Sequence, residues 1–219
     1  MTSRCIWFLA TLLIVGGCQT TGNTDAYQSI ESVSFPPKVK CPQVVSEYGT
    51  WRTARGGTRA AVHNGIDIPA NPGTPVYAVA NGTVVEIRKN VQPNGMRVGM
   101  EVFIDHTPFD YDGSEPRLEE WFQSRYVHVK NNIPVTVGQK VKRGQVIAFV
   151  GPHHVINHLH FGVRDVGLGR IIDPMKIFDR KYIGQQNQTK LENVGYTDGE
   201  EVYPKGALII WPLACKRKS

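Results

Sequence analysis

The stretch Asn157-His158-Leu159-His160-Phe161 places two histidines two residues apart inside an apolar run. On a β-strand, alternate side chains point to opposite faces, so both imidazoles would lie on one face while Leu159 and Phe161 enter a core. Two imidazoles on one patch can bind a transition metal, and zinc is well suited to such nitrogen ligands. By itself the pattern is weak, because ordinary surface strands also carry His-x-His pairs.

A second stretch, His63-Asn64-Gly65-Ile66-Asp67, supports the metal interpretation because it sets a histidine and a carboxylate four residues apart. A catalytic zinc ion takes three protein ligands and leaves one position open for water. His63, Asp67 and one histidine of the later pair would complete that set.

Three motifs, taken in order along the chain, resemble those of the lysostaphin-type (LytM-like) zinc endopeptidases of bacterial cell walls. The motifs are His63 to Asp67, Tyr126-Val127-His128, and His158-Leu159-His160-Phe161, and the resemblance extends over residues 45–177. It implies a mainly β fold, namely a single LytM-like (duplicated hybrid motif) β-sandwich domain. Three ordered motifs are far more specific than any one of them.

The resemblance also implies roles for five side chains. Matched position by position, it assigns a Zn²⁺ ion to His63, Asp67 and His160. It assigns catalysis to His128 and His158. Neither metal-binding motif contains a glutamate that could act as the base, and histidines near the metal can take that role because their pKa lies close to neutral.

Four further side chains lie close to the motifs in the sequence or on the same predicted strands. By strand alternation, Tyr126 shares the face of the catalytic histidine two residues later, where it would either donate to the substrate or pack. His106 closes a predicted strand, and a structural role is favoured over metal binding. His153 and His154 precede the His-x-His pair, where they would either reach the metal site or remain solvated.

The N-terminal residues 1–17 resemble a lipoprotein signal peptide. A basic residue precedes an apolar run at 6–15, which is too short to span a bilayer. The sequence Val15-Gly16-Gly17-Cys18 resembles a bacterial lipobox with Cys18 as the lipid acceptor, and an ordinary cleaved secretory signal is the alternative. Gln19 resembles an outer-membrane sorting context. We therefore expect an exported protein, lipid-anchored to the cell envelope at the periplasmic face of the outer membrane in a host with two membranes.

Two cysteines remain once the signal peptide is removed and Cys18 is acylated. Cys41 and Cys215 flank the predicted domain. In an oxidising compartment they are candidates for a disulfide that joins its two ends. Because spacing does not establish geometry, two independent thiols are the alternative.

The chain divides into four predicted segments. The signal peptide is followed by a polar, proline-containing tether at residues 18–43. Residues 44–178 form the zinc metallopeptidase domain, and residues 179–219 form a C-terminal extension docked on it. The apolar run at 206–211 in that extension is too short to span a bilayer and is expected to add a strand.

Within the domain, runs of β-branched residues predict short strands and no helix of any length. An Asn81-Gly82 turn is expected to join two of these strands, residues 77–80 and 83–88, as a hairpin. The other predicted strands are residues 99–105, 125–129 and 146–150, the last of them fully apolar and therefore expected to be buried.

Residues 107–124 form an insertion relative to the family that the motifs resemble. Ser114-Glu115-Pro116 can cap a short helix that reaches Phe122. The insertion would either wall the substrate groove or form a surface loop.

Composition and charge are those of an ordinary globular protein. Hydrophobic residues make up 41% of the chain and charged residues 20%, with a net charge of +6. The basic residues are scattered apart from Lys216-Arg217-Lys218, and aromatic residues do not alternate with them. We therefore expect no nucleic-acid partner.

The predicted function follows from the resemblance. It implies a zinc-dependent endopeptidase that hydrolyses peptide bonds in peptidoglycan stems or cross-bridges, held at the membrane by its N-terminal lipid and open to control by a regulatory protein partner. One alternative is a non-catalytic wall-binding activator of an amidase, although such relatives usually lack some zinc ligands and the whole set is present here. A carrier or sugar-binding β-domain, which would bind no metal, is a third possibility.

Overall fold

Antiparallel strands make up most of the structure. The computed structural model describes residues 39–51, 57–59, 61–91, 95–107, 121–178, 195–203 and 207–217. In chain order the described elements are β1 (Val39–Lys40), β2 (Ile66–Pro69), β3 (Pro75–Tyr77), β4 (Gly82–Val91), β5 (Arg97–His106), β6 (Phe122–Val129), β7 (Lys140–Val141), β8 (Val146–Phe149), β9 (His158–Asp165), β10 (Arg170–Ile172), α1 (Met175–Phe178), β11 (Tyr196–Thr197), β12 (Val202–Tyr203) and β13 (Lys216–Arg217). The mainly β fold predicted from the sequence is confirmed. The predicted signal peptide and the lipidation site Cys18 lie outside the described residues.

Seven strands form the central sheet, and their order brings the three sequence motifs together. The order is β10-β9-β6-β5-β4-β7, with β2 also paired to β9. Along one edge β9 pairs with β6, and along the other it pairs with β2 and β10. The His-x-His motif on β9 therefore lies between the motif that ends on β2 and the motif on β6.

The core lies on the opposite face of β9 from the two histidines. Leu159 and Phe161 are fully buried, as the alternation predicted. The Phe161 ring lies 5.4 Å from the ring of Tyr126 and 6.1 Å from that of Phe178, which in turn packs 5.2 Å from Trp211. Burial of each such side chain contributes about 1.5–3 kcal/mol to folding.

The prediction of a hairpin around Asn81-Gly82 is wrong. Strand β3 pairs with β8, whereas β4 pairs with β5 and β7. A two-residue type I′ hairpin turn needs positive φ at its central residues, and neither Asn81 nor Gly82 has it. The glycine is needed for close packing instead, because a Cβ at Gly82 would lie 2.5 Å from the carbonyl oxygen of Asp105.

The strands predicted at 99–105, 125–129 and 146–150 are present, with different limits. The strand predicted at 206–211 is not: its described residues, 207–211, form one isolated bridge, between Ile210 and Gly195. β5 and β6 include the predicted ranges 99–105 and 125–129 and extend beyond them. Residues 122–124 belong to β6, so the insertion ends earlier than predicted and no helix reaches Phe122. The predicted cap of that helix, residues 114–116, lies outside the described residues. Within the part of the chain that the structure describes, no helix is long and apolar enough to cross a bilayer.

The two ends of the described chain are joined. β1 pairs with β13, and Cys41 is disulfide-bonded to Cys215, 174 residues away, with the Cα atoms 4.2 Å apart. The backbone amide of Tyr77 donates to the carbonyl oxygen of Pro212 at 2.9 Å. Residues 207–217 thus pack on the domain. Val39 and Lys40, within the segment predicted to be a tether, pair with Arg217 and Lys216.

Candidate metal centre

Pairing between β2 and β9 places Asp67 opposite His160 and Pro69 opposite His158. Directly paired residues on antiparallel strands point to the same face of the sheet. The carboxylate and the two imidazoles therefore share a face, and β6 contributes Val127 opposite His160 on its other side.

Three side chains form a buried cluster with the composition of a metal site. His63 Nε2, Asp67 Oδ1 and His160 Nδ1 are each 3.0 Å from the other two. Among the described residues this is the group of histidine, cysteine and acidic side chains whose ligand atoms converge closely enough to hold an ion. Ligands of a tetrahedral zinc ion stand about 3.3 Å apart, so a small expansion would fit the ion.

Neighbouring groups orient these three side chains. The carbonyl oxygen of Glu47 lies 2.7 Å from His63 Nδ1, and since a carbonyl only accepts, Nδ1 carries the hydrogen and Nε2 is free to bind a metal. Arg59 Nη2 lies 2.8 Å from Asp67 Oδ2, which leaves Oδ1 facing the histidines. Gly65 gives the cluster room, because a Cβ there would lie 2.6 Å from His160 Nε2.

Electrostatics keep the cluster in its metal-binding protonation state. Burial would raise the pKa of Asp67, but its contacts with the rings of His160 and His63 outweigh that effect, so the pKa lies far below its usual range. Burial lowers the pKa of His160 to about 4, against the opposing effect of Asp67. Near neutral pH the carboxylate is therefore ionised and the imidazole neutral, as metal ligation requires.

His128 reaches this face through a β-bulge. The register between β5 and β6 shifts after Met100, so that Val129 pairs with Met100 and Val127 with Glu101, leaving His128 unpaired. Among the residues that the structure describes, His128 is the non-glycine residue that has a positive φ, of 62°. Its ring centroid lies 4.8 Å from that of His158 and 6.1 Å from that of His160. Regular alternation would have turned it to the opposite face.

Two glycines accommodate the bulge. Gly99 has φ +91°, and a Cβ there would lie 2.6 Å from the carbonyl oxygen of Val129. Gly151 donates its amide to the carbonyl oxygen of His128 at 2.7 Å, and a Cβ at that glycine would lie 2.8 Å from the same oxygen. The bulge therefore depends on small residues in two neighbouring segments, a requirement that the Tyr-x-His motif does not reveal.

Tyr126 does not share the face of His128, so the prediction from alternation is wrong. Tyr126 is fully buried, and its hydroxyl accepts from the amide of Val79 at 3.0 Å and contacts Ser124 Oγ at 3.1 Å. Ser124 in turn lies 2.7 Å from His106 Nε2, while His106 Nδ1 donates to the carbonyl oxygen of Asn81 at 2.8 Å. His106 and Tyr126 are therefore parts of a buried network that supports the sheet.

In both catalytic candidates, ring nitrogen Nδ1 lies within hydrogen-bond distance of a backbone carbonyl oxygen. His128 Nδ1 lies 3.1 Å from the carbonyl oxygen of Val98, and His158 Nδ1 lies 2.7 Å from that of Ile156. Because a carbonyl only accepts, the hydrogen of neutral His158 is on Nδ1 and its lone pair is on Nε2. His128 Nδ1 contacts a second group of opposite kind, the amide nitrogen of Asn90 at 3.2 Å, which only donates. Burial and the neighbouring histidines lower the pKa of His128 to about 2, so the expectation that both rings titrate near neutral pH does not hold for His128.

The loop between β8 and β9 adds a histidine that the motifs do not include. The His153 ring centroid lies 4.4 Å from that of His128 and 4.7 Å from that of His158. His154 is exposed, and its ring lies 4.5 Å from that of His153. Of the two loop histidines, the structure therefore brings His153 against the catalytic candidates.

A cavity of about 510 Å³ opens over this face. It is lined by all five predicted site residues together with Arg59, Asn90 and His153. A second cavity of about 1030 Å³ lies alongside and shares His153 and His154 with the first. The site is therefore accessible from a surface with room for an extended ligand.

Comparison with known proteins identifies the family. Residues 61–174 match peptidase family M23, and the chain belongs to that family. The peptidoglycan DD-endopeptidase ShyB of Vibrio cholerae is 32% identical over 144 residues, which cover 65% of this chain and 29% of ShyB. The glycyl-glycine endopeptidase ALE-1 of Staphylococcus capitis is 28% identical over 64% of this chain and 35% of its own length. The lipoprotein YgeR of Escherichia coli is 29% identical over 72% of this chain and 57% of YgeR.

Solved structures of the same family are also similar. The catalytic domain of lysostaphin from Staphylococcus simulans has a TM-score of 0.43 at 27% identity, covering 60% of this chain and 87% of that domain. A zinc-containing peptidase from Vibrio cholerae has a TM-score of 0.44 at 28% identity, covering 65% of this chain and 38% of that chain. This chain spans about a third of the length of curated relatives such as ShyB and ALE-1.

Proposed function

We propose that this protein is a zinc-dependent endopeptidase that hydrolyses peptide bonds in peptidoglycan stems or cross-bridges. The observation that carries the proposal is the buried cluster of His63, Asp67 and His160 beside the paired rings of His128 and His158. The cluster would hold the ion through two neutral nitrogens and one carboxylate oxygen, a donor set that suits zinc. M23 relatives that act on peptidoglycan, such as ShyB, support this substrate class.

Zinc in this cluster would polarise the scissile carbonyl and acidify a water molecule. The oxygen of that water forms a bond to the carbonyl carbon, and the bond from that carbon to the amide nitrogen then breaks. His158 is the better placed base, because its Nε2 lies 3.4 Å from Asp67 Oδ1. It takes the proton of the water on Nε2 and returns it to the departing nitrogen, which leaves as an amine.

His128 has a different part in this proposal. Its low pKa disfavours uptake of a proton, and its ring lies 4.8 Å from that of His158, where it can hydrogen-bond to the attacking water. We assign it to orienting the water beside His158. The bulge that turns His128 toward the site is consistent with such a role, because strained backbone is often found at functional positions.

The proposal extends to the location of the protein. The lipobox-like sequence that ends at Cys18, and the relative YgeR, which is a lipoprotein, support export and lipid anchoring to the envelope. The periplasmic face of the outer membrane is the location we propose for a host with two membranes. Mass spectrometry of the mature N-terminus should find acylated Cys18, and a free N-terminus elsewhere would refute the anchor.

The test of the enzymatic proposal is digestion of purified peptidoglycan without any amidase. The wild-type protein should contain about one zinc per chain and release soluble fragments, and mass spectrometry of those fragments identifies the bond that is cut. His160→Ala should lose both zinc and activity. A wild-type protein that binds zinc yet releases nothing would instead favour the amidase-activator alternative, and a wild-type protein without zinc would refute the ligand assignment.

A further inference from the structure

We propose that a groove lined by arginines, beside the metal site, binds a free carboxylate of the substrate peptide. The groove is a third cavity, of about 380 Å³, and we call it the arginine groove. The inference rests on the proposed peptidase function. It narrows the substrate to peptides that carry a free carboxylate near the bond that is cut.

The arginine groove adjoins the cavity over the metal site. Asn64 and Arg125 line both cavities. Gly162 pairs with Arg125 across β6 and β9 and also lines the groove. A Cβ at Gly162 would lie 3.3 Å from the carbonyl oxygen of Asn64 and 3.7 Å from the Cβ of Arg125. Glycine at this position therefore leaves open the space between the two residues that the cavities share.

The distance from the metal cluster to the groove suits a neighbouring residue of a bound peptide. On β9, Gly162 follows His160 by two residues, which corresponds to about 7 Å along the strand. An extended peptide covers about 3.3–3.6 Å per residue. A substrate with its scissile bond at the metal cluster would thus place a residue about two or three positions away in the arginine groove.

Positively charged side chains predominate in the lining of the groove. Arg88, Arg125 and Arg164 line it, and Glu86 is the acidic side chain among its described lining residues. Arg88 Nη1 lies 3.0 Å from Glu86 Oε1, but both of these side chains are about half exposed, and such pairs contribute little. A carboxylate of a bound peptide can therefore compete with Glu86 for this cation.

A buried carboxylate holds two of the arginines in place. Glu101 is 3% exposed, and its oxygens accept hydrogen bonds from Nε and Nη2 of Arg125 at 3.1 and 2.9 Å. Glu101 Oε2 also accepts from Arg88 Nε at 3.2 Å. Both guanidinium groups lie over the ring of Phe103, at 4.6 Å for Arg88 and 5.6 Å for Arg125. Because the cations are oriented beforehand, little side-chain entropy is lost when a ligand binds.

The same two arginines keep donors for a second carboxylate. Arg125 uses Nε and Nη2 for Glu101, and its Nη1 has no hydrogen-bond acceptor among the described residues. Arg88 uses Nε for Glu101 and Nη1 for Glu86, and its Nη2 likewise has none within the described part of the chain. Guanidinium groups bind carboxylates through strong charge-assisted hydrogen bonds. A cross-bridge of glycine alone has no side-chain carboxylate, so the groove favours acidic stem peptides.

The first test measures binding without cleavage. Purified peptidoglycan is left untreated or is treated with carbodiimide and ammonia, which convert its free carboxylates to primary amides. His158→Ala should cosediment with the untreated form with an affinity about 10–100-fold higher than with the amidated form. Adding Glu101→Gln and Arg125→Gln together should abolish this preference. Changing both partners at once leaves no buried charge unpaired, so the sheet should stay folded.

The second test compares the release of soluble fragments from the same two substrates. The wild type should act on untreated peptidoglycan about 10–100-fold faster at limiting substrate. Arg88→Gln should reduce this ratio, and the double variant Glu101→Gln, Arg125→Gln should abolish it. Each ratio is taken within one protein, so a smaller folded or zinc-loaded fraction does not change it. The control Arg170→Gln removes an exposed arginine of β10 that does not line the groove, and it should keep the wild-type ratio.

The outcomes separate this inference from the proposed function. A wild type that cleaves both substrates equally well would overturn the inference alone. A preference that persists in the double variant, or that Arg170→Gln reduces as much as Arg88→Gln does, would also overturn it, because the effect would then come from overall charge. Preferential binding of untreated peptidoglycan by His158→Ala, with a wild type that releases nothing, would overturn the proposed function but support the carboxylate site.

Discussion

Arg59 Nη2 lies 2.8 Å from Asp67 Oδ2, on the side of the carboxylate away from the histidine cluster. The same nitrogen lies 2.8 Å from Ser46 Oγ, so the guanidinium links the segment before β2 to the carboxylate. A charge-assisted hydrogen bond of this kind compensates a buried negative charge and limits Asp67 to one oxygen for a metal. The carboxylate is therefore oriented before any ion binds.

Replacement of Arg59 should weaken metal binding without abolishing it. Loss of a partner that orients a ligand typically costs about 10–100-fold in metal affinity, so Arg59→Met should bind zinc more weakly by about that factor. Competition with a chromogenic chelator measures the change. Arg164→Met, an exposed arginine elsewhere on the sheet, is the control, and an equal affinity in both variants would contradict the role of Arg59.

The two catalytic candidates should separate metal binding from catalysis. In His128→Ala and His158→Ala, the zinc cluster keeps its three side chains, so zinc content should stay near that of the wild type. Activation and orientation of the water would be lost, so the rate of hydrolysis should fall about 10²–10⁴-fold. Release of soluble peptidoglycan fragments measures activity, and variants as active as the wild type would refute both roles.

The bulge at His128 predicts an unequal effect of two glycine substitutions. Gly99→Ala introduces a Cβ that would lie 2.6 Å from the carbonyl oxygen of Val129, whereas Gly95→Ala has a similar positive φ and open space around it. Each should lose about 1 kcal/mol from the positive φ. Gly99→Ala should lose a further amount of about 1–3 kcal/mol because of the clash. It should also lose more activity than its loss of stability explains, because the bulge that positions His128 is disturbed.

Urea unfolding measures the stability of both glycine variants, and fragment release measures their activity. Equal losses of stability in Gly99→Ala and Gly95→Ala, with activity retained in both, would show that the bulge does not depend on Gly99.

Acid should destabilise the metal-free protein through His106. Burial lowers the pKa of His106 to about 4 from an ordinary 6.5, so the unfolded chain takes up a proton that the folded protein resists. Stability from this group is complete above pH 6.5 and is lost as pH falls toward 4, a change of about 3 kcal/mol. His106→Gln removes this contribution.

Urea unfolding at pH 7 and at pH 4, for the wild type and for His106→Gln, isolates the effect, because the remaining histidines are common to both proteins. The variant should be less stable at pH 7 yet lose less stability on acidification. If both proteins lost the same free energy of unfolding between pH 7 and pH 4, the effect could not be assigned to His106.

The bond between Cys41 and Cys215 should make a large contribution to stability. It closes a loop across a separation of 174 residues, and the chain-entropy treatment gives about 5 kcal/mol for a loop of this size. Alkylation without reduction should leave both cysteines unlabelled in the exported protein. Reduction should lower the midpoint of urea unfolding, and an unchanged midpoint would argue against this contribution.

Local sequence patterns were sufficient for part of the site. Alternation along Asn157-His158-Leu159-His160-Phe161 correctly turned the histidines to one face and the apolar residues to the core, because that strand is regular throughout. Cys41 and Cys215 could be proposed as a pair because they are the two cysteines outside the predicted signal peptide and lipidation site. The mainly β character likewise follows from runs of β-branched residues, whose preference is local.

Only the tertiary structure determined the rest, because the decisive contacts join residues far apart in sequence. His128 faces the site because Gly99 on the neighbouring strand leaves room for a bulge, which no pattern within Tyr126-Val127-His128 reveals. The strand after Asn81-Gly82 pairs with β5 and β7, since the space beside Gly82 is filled by the backbone of Asp105. Arg59 and His153 join the site through hydrogen bonds and ring contacts that exist only once β2, β6 and β9 lie side by side.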